Sequence, residues 1–257
     1  MSTRTDADRD RVQTLESGFE LLEYVREHDG ATLSELTAAF DRSKSSVHRY
    51  VTTMADMGYL VREGEEYHIS LKFLRLGGQA RHRKSGYGIA REKVFELVRE
   101  TGERALFLVE ERGQGVYAYR AGNAPPSRGE TKVGERRPLH ALAAGKALLA
   151  QWPDERIEAF LAEQDLDELT AQTITDPEAL WAEVERIREQ GYALNDAEQV
   201  DGLRAVGAPV FGPDGDVIGG LSVFGPASRF EDDRFREELP RLVTDKADEI
   251  HVRLTCE

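Results

Sequence analysis

Residues 43–54, SKSSVHRYVTTM, hold side chains whose types and spacing suit one kind of chemistry, the reading of a nucleic-acid groove. At helical spacing Val47, Val51, Met54 and Met57 fall on one stripe, which must pack on a core. The other face carries Ser45, His48, Arg49 and Thr52, spaced i, i+3, i+4, i+7, with Ser43, Lys44 and Ser46 towards the N-terminal end. Hydroxyls and a guanidinium bond base edges or phosphates, and a helix N-terminus adds backbone donors for phosphate. The same stripe alone also suits a plain solvated face, so the surrounding elements decide.

The second half of the chain holds no catalytic constellation. Gly145-Lys146 has the ending of a phosphate-binding loop, but His140 stands where its first glycine belongs and Ala147 replaces the hydroxyl residue. His140 has no GxSxG nucleophile to serve and reads as a core or helix-entry histidine. A ligand pocket is better supported. The small residues Ala141, Ala143, Ala144 and Gly145 would let a ligand approach helix amides that favour an anion, or would simply allow tight helix–sheet packing. Residues 192–202 read as a polar loop where binding groups collect, although Asp196, Glu198 and Asp201 each read singly as surface acid.

The elements around 43–54 spell a winged helix-turn-helix. Leu15, Phe19, Leu22 and Val25 mark an amphipathic first helix. Thr32 or Ser34 caps a short second one carrying Leu33, Leu36 and Phe40, and Asp41-Arg42 makes the turn. The third helix stops at Gly58. Residues 59–62 and 67–71, around the polar tip Glu63-Gly64-Glu65-Glu66, form a hairpin wing whose Arg62 reaches backbone phosphate. Residues 73–88 read as a linker helix and hinge, after an acidic tail over 1–11 and a DNA-binding domain over 12–72.

From residue 89 the expected pattern is a helix to Thr101, a hairpin over 105–120, and a loop at Ala124–Ser127. A buried helix over 139–151 follows, then helices over 154–163 and 176–190, a hairpin about Gly212–Gly215, and a last helix from about Asp232 to Leu254. Hairpins and helices without βαβ spacing imply an α+β domain, a mainly antiparallel sheet covered by helices.

With 257 residues the chain accommodates two cores. No apolar run has the length of a membrane span, so a soluble, cytoplasmic protein is expected, without a membrane partner. A single cysteine, Cys256, and six histidines without ligand spacing leave no metal site, and no cofactor is called for. The charge is unusual for a DNA-binding protein: 34 basic against 48 acidic residues, net −14. Residues 1–80 hold 10 basic and 14 acidic side chains, net −4, yet Arg42, Lys44, His48 and Arg49 cluster on the recognition element. Evenly spread acid suits a halophilic, salt-adapted surface, where counterion release contributes less to DNA affinity.

Several blocks in order, VQTLESGFELL, TLSELTAAFDRSKSSVHRYVTTMADMGYL, RRPLHALAAGKALLA, TITDPEALWAEVERIREQGYALND and GLRAVGAPVFGPDGDVIGGLSVFGPASR, make residues 12–254 resemble the IclR family of transcriptional regulators. The resemblance implies a winged helix-turn-helix, a linker helix assisting dimerisation, and a GAF-like effector domain. It also implies a homodimer or dimer of dimers that binds double-stranded operator DNA and regulates catabolic genes in response to a small organic-acid or sugar-derived effector. No enzymatic activity is implied. A winged-helix docking or architectural module without sequence readout is the rival, favoured by acid at the wing tip. Carried over position by position, the family pocket falls on Ala143, Ala144, Asn195, Asp196, Leu203, Ala205, Ser222 and Phe224. Asn195 replaces a carboxylate, Ala205 a frequent cysteine and Phe224 a serine, while Arg137 stands at an apolar wall position. An inward Arg137 would clamp a carboxylate, and the exchanges imply a larger acid than the simplest keto acids.

Overall fold

The computed structural model describes residues 12–122 and 132–256, so the tail 1–11 and the loop Ala124–Ser127 lie outside the described residues. The chain divides into two compact units after Ala80, within the stretch read as a linker.

In the first unit, helix α1 (Gln13–Glu27) is followed by the two-residue strand β1 (Ala31–Thr32), α2 (Leu33–Ala39) and α3 (Lys44–Asp56). Strands β2 (Leu60–Glu63) and β3 (Glu66–Ile69) form the wing, and α4 (Lys72–Arg81) leads out. Thr32 caps α2 in a reciprocal box with Glu35, and the Ser43 hydroxyl accepts the Ser46 amide at 3.3 Å to start α3. The hairpin turns at Gly64, whose φ of 65° belongs to the left-handed region. The wing has three strands, in the order β1-β3-β2, because Ala31 pairs with Tyr67 and Thr32 with Glu66. A two-residue strand is too short to show alternation in sequence.

Three expected core positions are corrected. Leu15 and Phe19 are 60% and 59% exposed, and the buried stripe of α1 is Gly18, Leu21, Leu22 and Val25. Gly18 belongs to it because a Cβ there would meet the Met54 methyl at 2.9 Å. Met57, which follows the last turn of α3, is also exposed.

The second unit is a six-stranded antiparallel sheet between two layers of helices, an α+β architecture as expected. Its strands are β4 (Arg104–Glu111), β5 (Gln114–Ala121), β6 (Arg136–Pro138), β7 (Ala193–Asp196), β8 (Leu203–Phe211) and β9 (Val217–Pro226), in the order β6-β5-β4-β9-β8-β7. Strand alternation sends Ala105, Phe107 and Val109 into a core with α5 (Tyr87–Thr101) and α9 (Leu239–Cys256). Leu106 and Leu108 face the opposite core, with α6 (Ala143–Leu149), α7 (Asp154–Glu163) and α8 (Pro177–Gln190).

Four sequence expectations change. Helix α5 starts at Tyr87, two residues early, on the left-handed Gly86. The block 139–151 is broken into a 3-10 turn, Leu139–Ala141, and α6, with Leu142 extended between them. Residues 193–196, read as loop, are the edge strand β7. The last helix is a π turn, Arg234–Glu238, running into α9.

An ion ladder joins α5 to α9. Lys93 bonds Glu249 and, at 2.8 Å, Glu96, while Lys246 reaches Glu100 at 3.0 Å. The Lys93 bonds hold the carboxyls of Glu96 and Glu249 below the usual range. A depressed carboxyl stabilises the fold above its unfolded pKa, and that contribution disappears as pH falls through the folded value. The melting temperature should therefore drop as pH falls below about 5, and Lys93→Met should flatten that loss. An equally steep profile in the variant would exclude the ladder as its source.

Candidate nucleic-acid interface and effector cavity

The candidate recognition face lies on α3. Val47 and Val51 fix its back in the core, leaving Lys44, Ser45, His48, Arg49 and Thr52 exposed on the front. Ser43 and Ser46 are engaged locally: the Ser43 hydroxyl lies 3.0 Å from both the Ser45 and Ser46 hydroxyls while capping the helix. That network orders the first turn, where backbone amides also point outward. Arg62 is exposed on β2, its Nε donating to the Gly64 carbonyl at 2.9 Å and its guanidinium 5.8 Å from the Tyr67 ring. The wing thus holds its arginine by its own turn.

In the second unit a cavity of about 30 Å³ opens where α6 crosses the sheet. Of the pocket residues expected from sequence, Ala143, Ala144, Asn195, Ala205, Ser222 and Phe224 line it. Leu106, Leu108, Tyr117, Leu142 and Gln199, which sequence reasoning missed, complete the wall. The alternation of β4 signals the two leucines; Tyr117 and Gln199 depend on long-range register.

Three expected residues lie elsewhere. Asp196 points away from Asn195 along β7 and grips Arg204 at 2.8 and 2.9 Å. Leu203, at the start of β8, pairs with Pro226 beyond the cavity. Arg137 sits on the edge strand β6 with its guanidinium on Glu135, so the inward carboxylate clamp is corrected. Arginines do approach the cavity's wall from another side. Arg104 pairs across the sheet with Phe224, and the Arg104 and Arg120 guanidiniums lie 5.0 and 5.5 Å from its ring centre.

The small residues serve packing and lining together. A Cβ on Gly207 would stand 2.5 Å from the Ala143 carbonyl carbon and the Ala144 nitrogen, and one on Gly220 would collide with the Ala144 carbonyl oxygen. Glycine at both positions lets the α6 backbone rest on the sheet. Much of the polar lining is already committed. Asn195 donates to the Ala141 carbonyl at 2.6 Å and accepts the Glu198 amide at 3.1 Å. Ser222 donates to the Val206 carbonyl at 2.7 Å, and Gln199 donates to the Tyr117 hydroxyl at 3.2 Å. Apolar walls with a few oriented polar groups are the lining of a small-molecule site rather than of a bond-making one. At about 30 Å³ the closed cavity has room for about two waters and must widen to admit an organic ligand.

Lys146 and His140 have structural partners. The buried Lys146 ammonium contacts both Glu198 oxygens, at 2.6 and 2.7 Å, and Glu183 at 3.0 Å. Burial pushes the Glu198 carboxyl above its ordinary range, against the pull of Lys146. Burial also lowers the His140 imidazole, whose Nε2 donates to the Asp167 carbonyl at 3.1 Å. Among the described residues no group of three or more His, Cys, Asp or Glu is placed to hold a metal, and no helix is long and apolar enough to cross a membrane.

The sequence matches two family models in order: the IclR helix-turn-helix domain over residues 14–64, and the bacterial transcriptional regulator IclR C-terminal domain over 85–252. It is 32% identical over 248 residues to the probable HTH-type transcriptional regulator ArcR of Halobacterium salinarum, covering 95% of this chain and 94% of that one. It is 33% identical over 241 residues to the HTH-type transcriptional regulator KdgR of Escherichia coli, covering 93% and 92%. The crystal structure of the Thermotoga maritima IclR superposes with a TM-score of 0.83 at 27% identity, covering 95% and 100%. These relatives and both matched families are transcriptional regulators rather than enzymes. With each compact unit matched to its own half of the same architecture, this chain belongs to the IclR family of DNA-binding transcriptional regulators.

Proposed function

We propose that this protein regulates a catabolic operon and is controlled by a small anionic effector, an organic or sugar-derived acid, bound in the α6 cavity. The observation that carries the effector reading is the cavity itself, apolar on the β4 side, with Asn195, Gln199, Ser222 and Tyr117 converging. The Arg104 and Arg120 guanidiniums about Phe224 favour an anion there. Effector binding acts by stabilising one arrangement of the regulator over another, which shifts the population that fits the operator.

On the DNA side, Lys44, Ser45, His48, Arg49 and Thr52 read the major groove, the Ser43–Ser46 turn receives a phosphate, and Arg62 touches backbone. Exposed Val12, Leu15 and Phe19 about α1, and Leu71, Leu74 and Leu76 about α4, support self-association as a homodimer or dimer of dimers. The net charge of −14, together with a relative from Halobacterium salinarum, supports a salt-adapted cytoplasmic regulator. The test is genome-wide occupancy of the wild type against a Lys44→Ala/Arg49→Ala variant. Sharp peaks beside catabolic operons are expected, with affinity for them weakened roughly tenfold or more in the variant, given about 1–3 kcal/mol per base-reading arginine. The acidic wing tip, Glu63, Glu65 and Glu66, favours a second reading as a docking module. Diffuse, variant-insensitive occupancy would select it.

A further inference from the structure

Lys146 extends from α6, one turn beyond the cavity-lining Ala143, and is only 1% exposed. A charge so deeply buried needs close partners, and Lys146 has two, on different elements. Glu183 belongs to α8, and Glu198 to the segment that leaves β7. That segment is held from other directions as well. The Thr170 hydroxyl donates to the Ala197 carbonyl at 2.7 Å, and the Thr173 hydroxyl donates to the Glu198 carbonyl at 2.6 Å. Asn195 takes the Glu198 amide, so both the backbone and the side chain of Glu198 are fixed. Ala197 has a φ of 62°, in the left-handed region that an alanine keeps only when its surroundings impose it. The residue that follows this constrained pair is Gln199, whose carboxamide lines the cavity and donates to Tyr117.

We propose that Lys146 is a positioning residue for the effector cavity: through Glu198 it braces residues 197–199 so that Gln199 is presented to the ligand. This rests on the effector reading of the cavity. Helix α6 contributes to both ends of the arrangement, since Ala143 and Ala144 line the cavity and Lys146 holds the segment carrying Gln199. Buried ion pairs often contribute little net stability compared with well-packed apolar residues of equal volume. One at this position is suited to holding a single geometry. An effector that draws Gln199 from Tyr117 then acts on a segment tied to α6, α8 and the Thr170–Thr173 turn.

Hydrogen exchange of the full-length protein, followed by mass spectrometry without ligand, tests the brace. In Lys146→Met and in Glu198→Gln, amides of residues 197–203 are expected to exchange about tenfold faster at labelling times too short for β4 and β9, whose amides exchange only when the whole unit opens. The Lys146→Met/Glu198→Gln variant, which leaves Glu183 with Arg186, should show the same local acceleration without further gain, because both changes remove one unit. It also keeps the test open where Lys146→Met alone fails to fold. Gln199→Leu should leave Ala197 and Glu198 protected, since their bonds do not pass through its side chain. Unchanged exchange at 197–203, or acceleration spread evenly over the sheet, would overturn the proposal and leave Lys146 a merely stabilising group. The effector reading fails separately, if filling the cavity with Ala144→Leu leaves operator release by every carboxylate of a metabolite panel unchanged.

Discussion

Gly207→Val is expected to lift α6 from the sheet and erase the cavity. The added Cβ would begin 2.5 Å from the Ala143 carbonyl carbon and the Ala144 nitrogen, and both are backbone atoms with no rotamer to offer. Gly220, on the neighbouring β9, abuts Ala144 in the same way, so moving the helix sideways meets a second obstacle. Forcing extra volume into a packed core commonly costs about 1–3 kcal/mol, and a rigid backbone obstacle belongs at the upper end. For a unit of this size about 3 kcal/mol lowers the midpoint of thermal unfolding by roughly 6–12 °C. Gly88→Ala is the control: that glycine is within α5 and a Cβ there meets nothing within 4 Å, so the change should be neutral or slightly stabilising. The DNA-binding unit has its own core and should keep operator affinity in Gly207→Val while effector response is lost. A wild-type midpoint and a normal response would show that α6 does not rest on these glycines as described.

What the sequence made legible was local. Of the two hydroxyls offered as caps for the second helix, Thr32 takes the role, and Ser43, read only as part of the groove-facing surface, caps the third. Periodicity identified α1 but assigned part of its face wrongly, because Leu15 and Phe19 are spaced like a core stripe. The buried stripe runs through Gly18, whose missing side chain admits Met54 of α3, a fact about a partner 36 residues away. The apolar block at 139–151 hid a break for a similar reason. A Cβ on Gly145 would collide with the Leu139 carbonyl oxygen, so the chain folds tightly back on itself at Leu142, and hydropathy does not encode that turn. In the cavity, positions carried by the family pattern came together, while Tyr117 and Gln199 needed the pairing of distant strands. Arg137 drew attention as a cation near a pocket position, yet sheet order puts it on the edge, and Arg104 and Arg120 approach Phe224 instead.

Lys146 shows most sharply how a residue's role depends on distant partners, and its removal carries the other large expected effect. As part of a failed phosphate-loop motif it had no assigned work; its partners, Glu183 and Glu198, are 37 and 52 residues away. Lys146→Ala leaves Glu198 buried without its cation, and breaking a buried pair from one side costs about 3–5 kcal/mol. Glu183 loses less, since Arg186 still reaches its other oxygen. The deficit should depend on pH in a definite direction. Burial already holds the Glu198 carboxyl above its ordinary range, and loss of the ammonium removes the group that opposed that shift. An acid whose folded pKa is raised binds its proton more tightly in the fold, so stability falls as pH rises from the unfolded value through the folded one. Denaturant unfolding of Lys146→Ala should therefore show its full deficit near pH 7 and a smaller one near about pH 5, where the buried carboxyl is more readily neutralised. Glu198→Gln in the same background should recover part of the loss near pH 7 and remove most of the pH dependence, because the amide has no charge to strand. A deficit that is equal at both pH values, or untouched by Glu198→Gln, would mean that Lys146 stabilises the unit by the packing of its methylene chain rather than by its charge.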